Sequence, residues 1–97
     1  MRYTKEELWK LRTNLPMKYI LKYLQVEYKE VEKYIRFMCP NCKEIRAAIN
    51  PKNNLSHCFA CKQNFNNIDL LIQEGYNFRK AVKILKNLFR EYEKKDY

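Results

Sequence analysis

Cys39-Pro-Asn-Cys42 and Cys58-Phe-Ala-Cys61 hold all four cysteines of this 97-residue chain, with fifteen residues between the pairs. Two thiolates spaced two residues apart can both turn onto one ion. A second pair then completes a tetrahedral shell of soft ligands. The chemistry expected of Cys39, Cys42, Cys58 and Cys61 is therefore the binding of one structural zinc ion. Four unrelated buried thiols would not fall into two such pairs, and disulfides would call for a secreted protein, which nothing else in the sequence suggests. Four thiolates leave zinc no open position for water, so a catalytic zinc is not expected. His57 adjoins Cys58, but with the shell already filled it reads as a strand residue, in the surroundings of the metal or touching nucleic acid.

These knuckles need a scaffold, and the chain around them supplies one. Thr4-Lys-Glu-Glu7 reads as a capping box that opens a short helix, with Leu8, Leu11 and Trp9 on its apolar side and Trp9 as a core anchor. Pro16 suits the first position of a second helix, whose core stripe is Met17, Ile20, Leu21 and Leu24. Val31, Ile35 and Phe37 fit one strand running into the first knuckle, with Lys33 and Arg36 exposed beside it. Arg46 to Ile49 and Leu55 to Cys58 form a strand pair around the turn Asn50-Pro-Lys-Asn-Asn54. Asn66 or Asn67 caps a helix through Ile68, Leu70, Leu71 and Ile72, which Gly75 ends. Asn77 caps a longer helix with Phe78, Ala81, Val82, Leu85, Leu88 and Phe89 as its core face, and Arg79, Lys83, Lys86 and Arg90 on a solvent face. The tail Glu91 to Tyr97 is of mixed charge and expected to fray. The expected fold class is α+β: a zinc ribbon, a small antiparallel sheet at about 31–65, flanked by N-terminal helices at about 5–24 and C-terminal helices at about 67–92. The whole of 1–97 reads as a single domain.

Twenty basic and eleven acidic side chains give a formal charge of +9. Four thiolates and one zinc ion contribute −4 + 2 = −2, which leaves the loaded chain near +7. Such a balance favours nucleic acid or another acidic partner. The N-terminus has no apolar signal core and no run approaches membrane-spanning length, so the expected location is the cytoplasm, with no membrane partner.

Arg36-Phe-Met-Cys-Pro-Asn-Cys42 and His57-Cys-Phe-Ala-Cys61, followed by Asn67-Ile-Asp-Leu-Leu, Glu74-Gly-Tyr-Asn-Phe78 and Ala81, resemble the zinc-finger domain of bacterial-type DNA primases. The elements run in that family's order, over roughly residues 31–90. The resemblance implies a zinc-ribbon module that binds single-stranded DNA in primer synthesis, and a histidine at position 57 that does not bind metal. Three positions depart from the family pattern. Cys42 stands where the family usually has a histidine ligand, Arg46-Ala-Ala replaces a threonine-proline-serine run, and Lys62 and Phe65 replace glycines.

Primer synthesis needs clustered carboxylates for magnesium, and the acidic residues here are scattered. Gly75 is the sole glycine, so no Gly-rich phosphate loop is possible. The expectation is accordingly no enzyme, but a template-reading module acting with a primase catalytic subunit or a helicase. Phosphates would be met by Lys33, Arg36, Lys43, Arg46, Lys52 and Lys62, and bases by Tyr34, His57 or Phe59, with Arg46 ranked first. Two other readings stand beside this one. The first is a protein-interaction adaptor that docks a replication or mobile-element enzyme through the terminal helix. The second is a rubredoxin-like iron site, against which Lys43 and Lys62 occupy positions where glycine usually follows the second cysteine. The sequence leaves the oligomeric state unknown.

Overall fold

The computed structural model describes residues 3–32 and 34–94. Lys33, one of the expected nucleic-acid contacts, and residues 95–97 of the expected fraying tail lie outside the described residues. The element order is α1 (Lys5–Thr13), α2 (Met17–Leu24), β1 (Tyr28–Val31), β2 (Tyr34–Phe37), β3 (Ala47–Asn50), β4 (Leu55–Cys58), β5 (Asn64–Phe65), α3 (Asn67–Gln73) and α4 (Phe78–Lys94). This is the expected α+β class, a small antiparallel sheet between helices, and the sheet has five strands in the order β1-β2-β3-β4-β5.

Local chemistry sets the helix boundaries. Glu7 N–H donates to Thr4 Oγ1 at 3.0 Å and Thr4 N–H to Glu7 Oε1 at 3.4 Å, which closes the capping box that opens α1. Pro16 occupies the N-cap of α2, one place earlier than expected. At α3, Asn66 Oδ1 accepts from Asp69 N–H at 2.8 Å while Asp69 Oδ2 accepts from Asn66 N–H at 3.0 Å. Gly75, at φ 102°, ends that helix: its N–H donates to Ile72 O and that of Tyr76 to Leu71 O, the paired bonds of a Schellman motif. Asn77 Oδ1 accepts from Lys80 N–H at 2.8 Å at the start of α4. That helix runs on through Lys94 rather than fraying from Glu91.

The expected single strand from Val31 to Phe37 is instead a hairpin. Residues 28–31 and 34–37 pair antiparallel, with Tyr28 opposite Phe37 and Val31 opposite Tyr34. Glu32 takes up the reversal at φ 56°, a left-handed conformation that glycine or asparagine would announce and glutamate does not. The hairpin adds an edge strand, so the sheet begins at Tyr28 rather than near residue 31.

Successive strand residues face opposite sides of the sheet. Phe37, Ala47, Ile49, Ser56, Cys58 and Phe65 are buried on one side and share a core with Leu11, Leu15, Met17, Ile20, Leu21, Leu71, Val82 and Leu85 of the helices. Three expected positions differ. Trp9 is 53% exposed, because about 100° of helical rotation per residue carries it off the Leu8–Leu11 face of α1. Phe78 is 46% exposed: it begins α4, and helical side chains tilt towards the N-terminus, past the point where the core starts. Ile84 is buried in the stripe instead. Lys86 is not a free solvent-face cation, since its Nζ lies 3.2 Å from Glu7 Oε2 and 4.8 Å from the centre of the Tyr3 ring.

Two asparagines tie the end of α1 and the turn after it to the ribbon and to α3. Asn54, at the β3–β4 turn, donates through Nδ2 to Arg12 O and Leu15 O, both at 2.7 Å, and accepts from Met17 N–H at 3.1 Å. Asn67, fully buried at the start of α3, donates through Nδ2 to Leu11 O at 2.9 Å and Leu15 O at 2.8 Å. The last carbonyls of α1 have no partners within their own helix. Here they are satisfied from two distant elements.

Candidate metal centre and open sheet face

The two knuckles are the same turn built twice. Cys39 N–H donates to Glu44 O and Lys43 N–H to Cys39 O, both at 2.9 Å. Cys58 N–H donates to Gln63 O at 2.9 Å and Lys62 N–H to Cys58 O at 2.8 Å. Lys43 and Lys62 sit at φ 63° and 64°, the left-handed conformation that costs a side-chain-bearing residue roughly 1–2 kcal/mol. The chain adopts it at both equivalent places without glycine, and at each it turns the residue that follows back to accept from the N–H of the first cysteine.

The four sulfurs converge. Cys39 Sγ and Cys61 Sγ are 3.7 Å apart, Cys42 Sγ and Cys58 Sγ 3.6 Å, and all four lie within 4.8 Å of one another. A zinc–sulfur bond of about 2.3 Å in tetrahedral geometry requires sulfur–sulfur edges of about 3.8 Å. The cluster has the size and donor set of such a site, and it is a metal-binding centre. Its position also explains why His57 is no ligand. Cys58 faces the core side of β4, and strand alternation turns His57 to the other side.

The metal-free thiols differ in acidity. Burial pushes the Cys39 thiol up to about 12, opposed by the backbone N–H groups of Cys42 and Asn41. Asn41's side chain, ahead of the effect of burial, brings Cys61 down to about 6. A metal must therefore displace a proton at Cys39, while at neutral pH Cys61 already offers a thiolate.

The solvent side of the sheet carries the other candidates. Strand register aligns Lys29, Arg36, Ala48, His57 and Asn64 in one row across all five strands. With Val31, Tyr34, Lys52, Leu55 and Phe59 they line an open depression of about 1240 Å³. Of the expected contacts, the structure brings Tyr34, Arg36, Lys52, His57 and Phe59 to this surface. Arg46, Lys43 and Lys62 are exposed but do not line it. Arg46 precedes β3, and its carbonyl accepts from Phe59 N–H at 3.1 Å. Lys29 and Asn64 were missed because β1 and β5 were missed; alternation along those strands would have placed both on this face. Among the described lining residues Lys29, Arg36 and Lys52 are cationic and Glu32 alone is acidic. Tyr34 and Phe59 are 58% and 57% exposed. Phe59 packs edge-on to His57 at 4.9 Å, and His57 Nδ1 lies 2.7 Å from Asn64 Oδ1.

The fold and the site together define a metal-binding ribbon module. In comparisons with known proteins, no family model and no curated protein matches the chain. Among the described residues no helix is long and apolar enough to cross a membrane.

Proposed function

We propose that this chain is a zinc-dependent nucleic-acid-binding module that takes single-stranded DNA on the open face of its sheet. The observation that carries the reading is one surface on which Lys29, Arg36 and Lys52 stand among the exposed rings of Tyr34 and Phe59 and the half-buried ring of His57. Cations for phosphates and rings for bases are what binding of an unpaired strand requires. Zinc is the metal that four thiolates at these separations suit, and its part is structural. It ties the loop after β2 to the end of β4, and so fixes the strands that present the surface. The primase-like order of knuckles and helices supports a place in replication. In that reading the chain contributes no catalytic step, and a catalytic subunit or helicase supplies the chemistry.

One observation favours a second reading as a protein-docking adaptor. Arg79, Lys83 and Arg90 are exposed on α4, away from the sheet face, and would suit an acidic partner. Amide chemical-shift mapping of the zinc-loaded protein with an oligothymidylate separates the two. Shifts centred on Tyr34, Arg36, Ala48 and His57 are expected. Shifts confined to α4, or none, would overturn the sheet-face assignment.

A further inference from the structure

Ala48 is the one small side chain in the row Lys29–Arg36–Ala48–His57–Asn64, and it sits on the central strand. Neighbouring strands are about 4.8 Å apart, so the backbones carrying Arg36 and His57 stand roughly 10 Å apart on either side of it. Between two long side chains this leaves a gap one residue deep, floored by a methyl group. All three residues line the same depression.

The walls of the gap differ in chemistry. Arg36 presents only donors. At His57, Nδ1 lies 2.7 Å from Asn64 Oδ1, an oxygen that can only accept, so in the neutral ring Nδ1 is the donor and Nε2 is left as the acceptor. Asn64 is on β5, on the far side of His57 from Ala48. Holding Nδ1 towards β5 leaves Nε2 on the flank of the ring nearer β3. Phe59, packed edge-on at 4.9 Å, restrains the ring further.

We infer that Ala48 floors a slot for one unpaired nucleobase, lying over the methyl group with its edge held between the donors of Arg36 and the acceptor Nε2 of His57. Asn64 acts as a positioning residue that sets the His57 ring. The inference rests on the proposed nucleic-acid reading and adds the origin of the preference for single strands. In a duplex the base faces are stacked and the pairing edges are occupied, so neither the methyl floor nor both walls can be engaged at once.

The test compares two labelled oligonucleotides, a thymidine strand and the same strand with abasic sites, bound by zinc-loaded wild type, Ala48→Leu and Asn64→Ala. Cobalt-substituted spectra check that each variant keeps its four-thiolate site. Wild type is expected to prefer the strand with bases by roughly tenfold, the range of one well-held base. Ala48→Leu, which fills the slot, is expected to lose most of that preference while keeping salt-sensitive binding to the abasic strand. Asn64→Ala, which leaves the floor intact and removes the restraint on His57, is expected to lose part of it. An unchanged preference in Ala48→Leu overturns the slot. Should Ala48→Leu lose its cobalt spectrum, an unchanged preference in Asn64→Ala overturns it instead. Equal wild-type affinity for the two strands overturns the slot and the use of rings for bases but leaves phosphate binding standing, whereas no binding to either strand overturns the nucleic-acid reading as a whole.

Discussion

The carbonyl of Leu15 accepts from both Asn54 Nδ2, at 2.7 Å, and Asn67 Nδ2, at 2.8 Å, and this sharing predicts a non-additive double mutant. Asn67→Ala strands Leu11 O in the core but leaves Leu15 O with Asn54. A buried acceptor without a partner costs about 1–3 kcal/mol. Loss of the unpartnered Asn67 Oδ1 offsets part of that cost. Asn54→Gly keeps the left-handed backbone at φ 56° and removes the bonds to Arg12 O, Leu15 O and Met17 N–H. These groups are partly buried, so water can replace some of what is lost. Only the double variant leaves Leu15 O unpaired. Its destabilisation should therefore exceed the sum of the two single values by about 1–3 kcal/mol, the cost of one further orphaned carbonyl. Urea unfolding of the four zinc-loaded proteins measures the coupling. Additivity to within about 0.3–0.5 kcal/mol, the range for independent sites, would refute the shared clamp.

Metal removal should be more drastic, because apparent zinc binding in small structural sites is worth about 10–16 kcal/mol, as much as the whole stability of a domain, about 5–15 kcal/mol. A strong chelator is expected to abolish the dispersed amide signals of β2 to β4, and readdition of zinc to restore them. Affinity for the metal should fall with acidity. The Cys39 thiol, at about 12, and the Cys42 thiol, also raised, both carry protons at neutral pH that binding must displace. Each displaced proton makes affinity rise roughly tenfold per pH unit, so these two alone give a rise of at least about hundredfold, which chelator competition at pH 6 and pH 7 would register. Gly75→Ala should destabilise by about 1–2 kcal/mol through its left-handed φ alone, since no atom lies within 4 Å of the added carbon. A melting temperature lower by several degrees is the expected readout.

Much of this architecture was legible because its signals are local. Cysteine spacing announced the metal site, Thr4, Asn66 and Asn77 announced helix starts, and the stripes Met17–Ile20–Leu21 and Ala81–Val82–Leu85 announced the core. What escaped had no local signal. The β1–β2 hairpin turns at Glu32, in a conformation that its residue type does not advertise, and β1 is held by pairing with β2 rather than by an apolar alternation of its own. β5 is two residues long. Asn54 reads as a turn former and lies in that turn, while Asn67 reads as an alternative cap to Asn66, which is the residue that caps α3, with Asn67 first inside the helix. Their partners in α1 and α2 are far along the chain, and only the fold brings them together. The candidate surface suffered accordingly: without β1 the row that ends in Lys29 could not be seen, and Arg46, ranked first for its place beside the first knuckle, is exposed but does not line the depression.

Fluorescence anisotropy of a labelled single-stranded oligonucleotide, titrated with zinc-loaded protein at about 50 and about 200 mM salt, tests the central claim most directly. Three phosphate contacts, from Lys29, Arg36 and Lys52, imply a log–log salt slope near −2, so the account predicts binding to single strands that weakens roughly 20-fold between these concentrations. It also predicts weaker binding to the duplex and loss of strand binding in a Cys42→Ser, Cys61→Ser variant. No binding at the lower salt by protein carrying one zinc per chain would contradict the account.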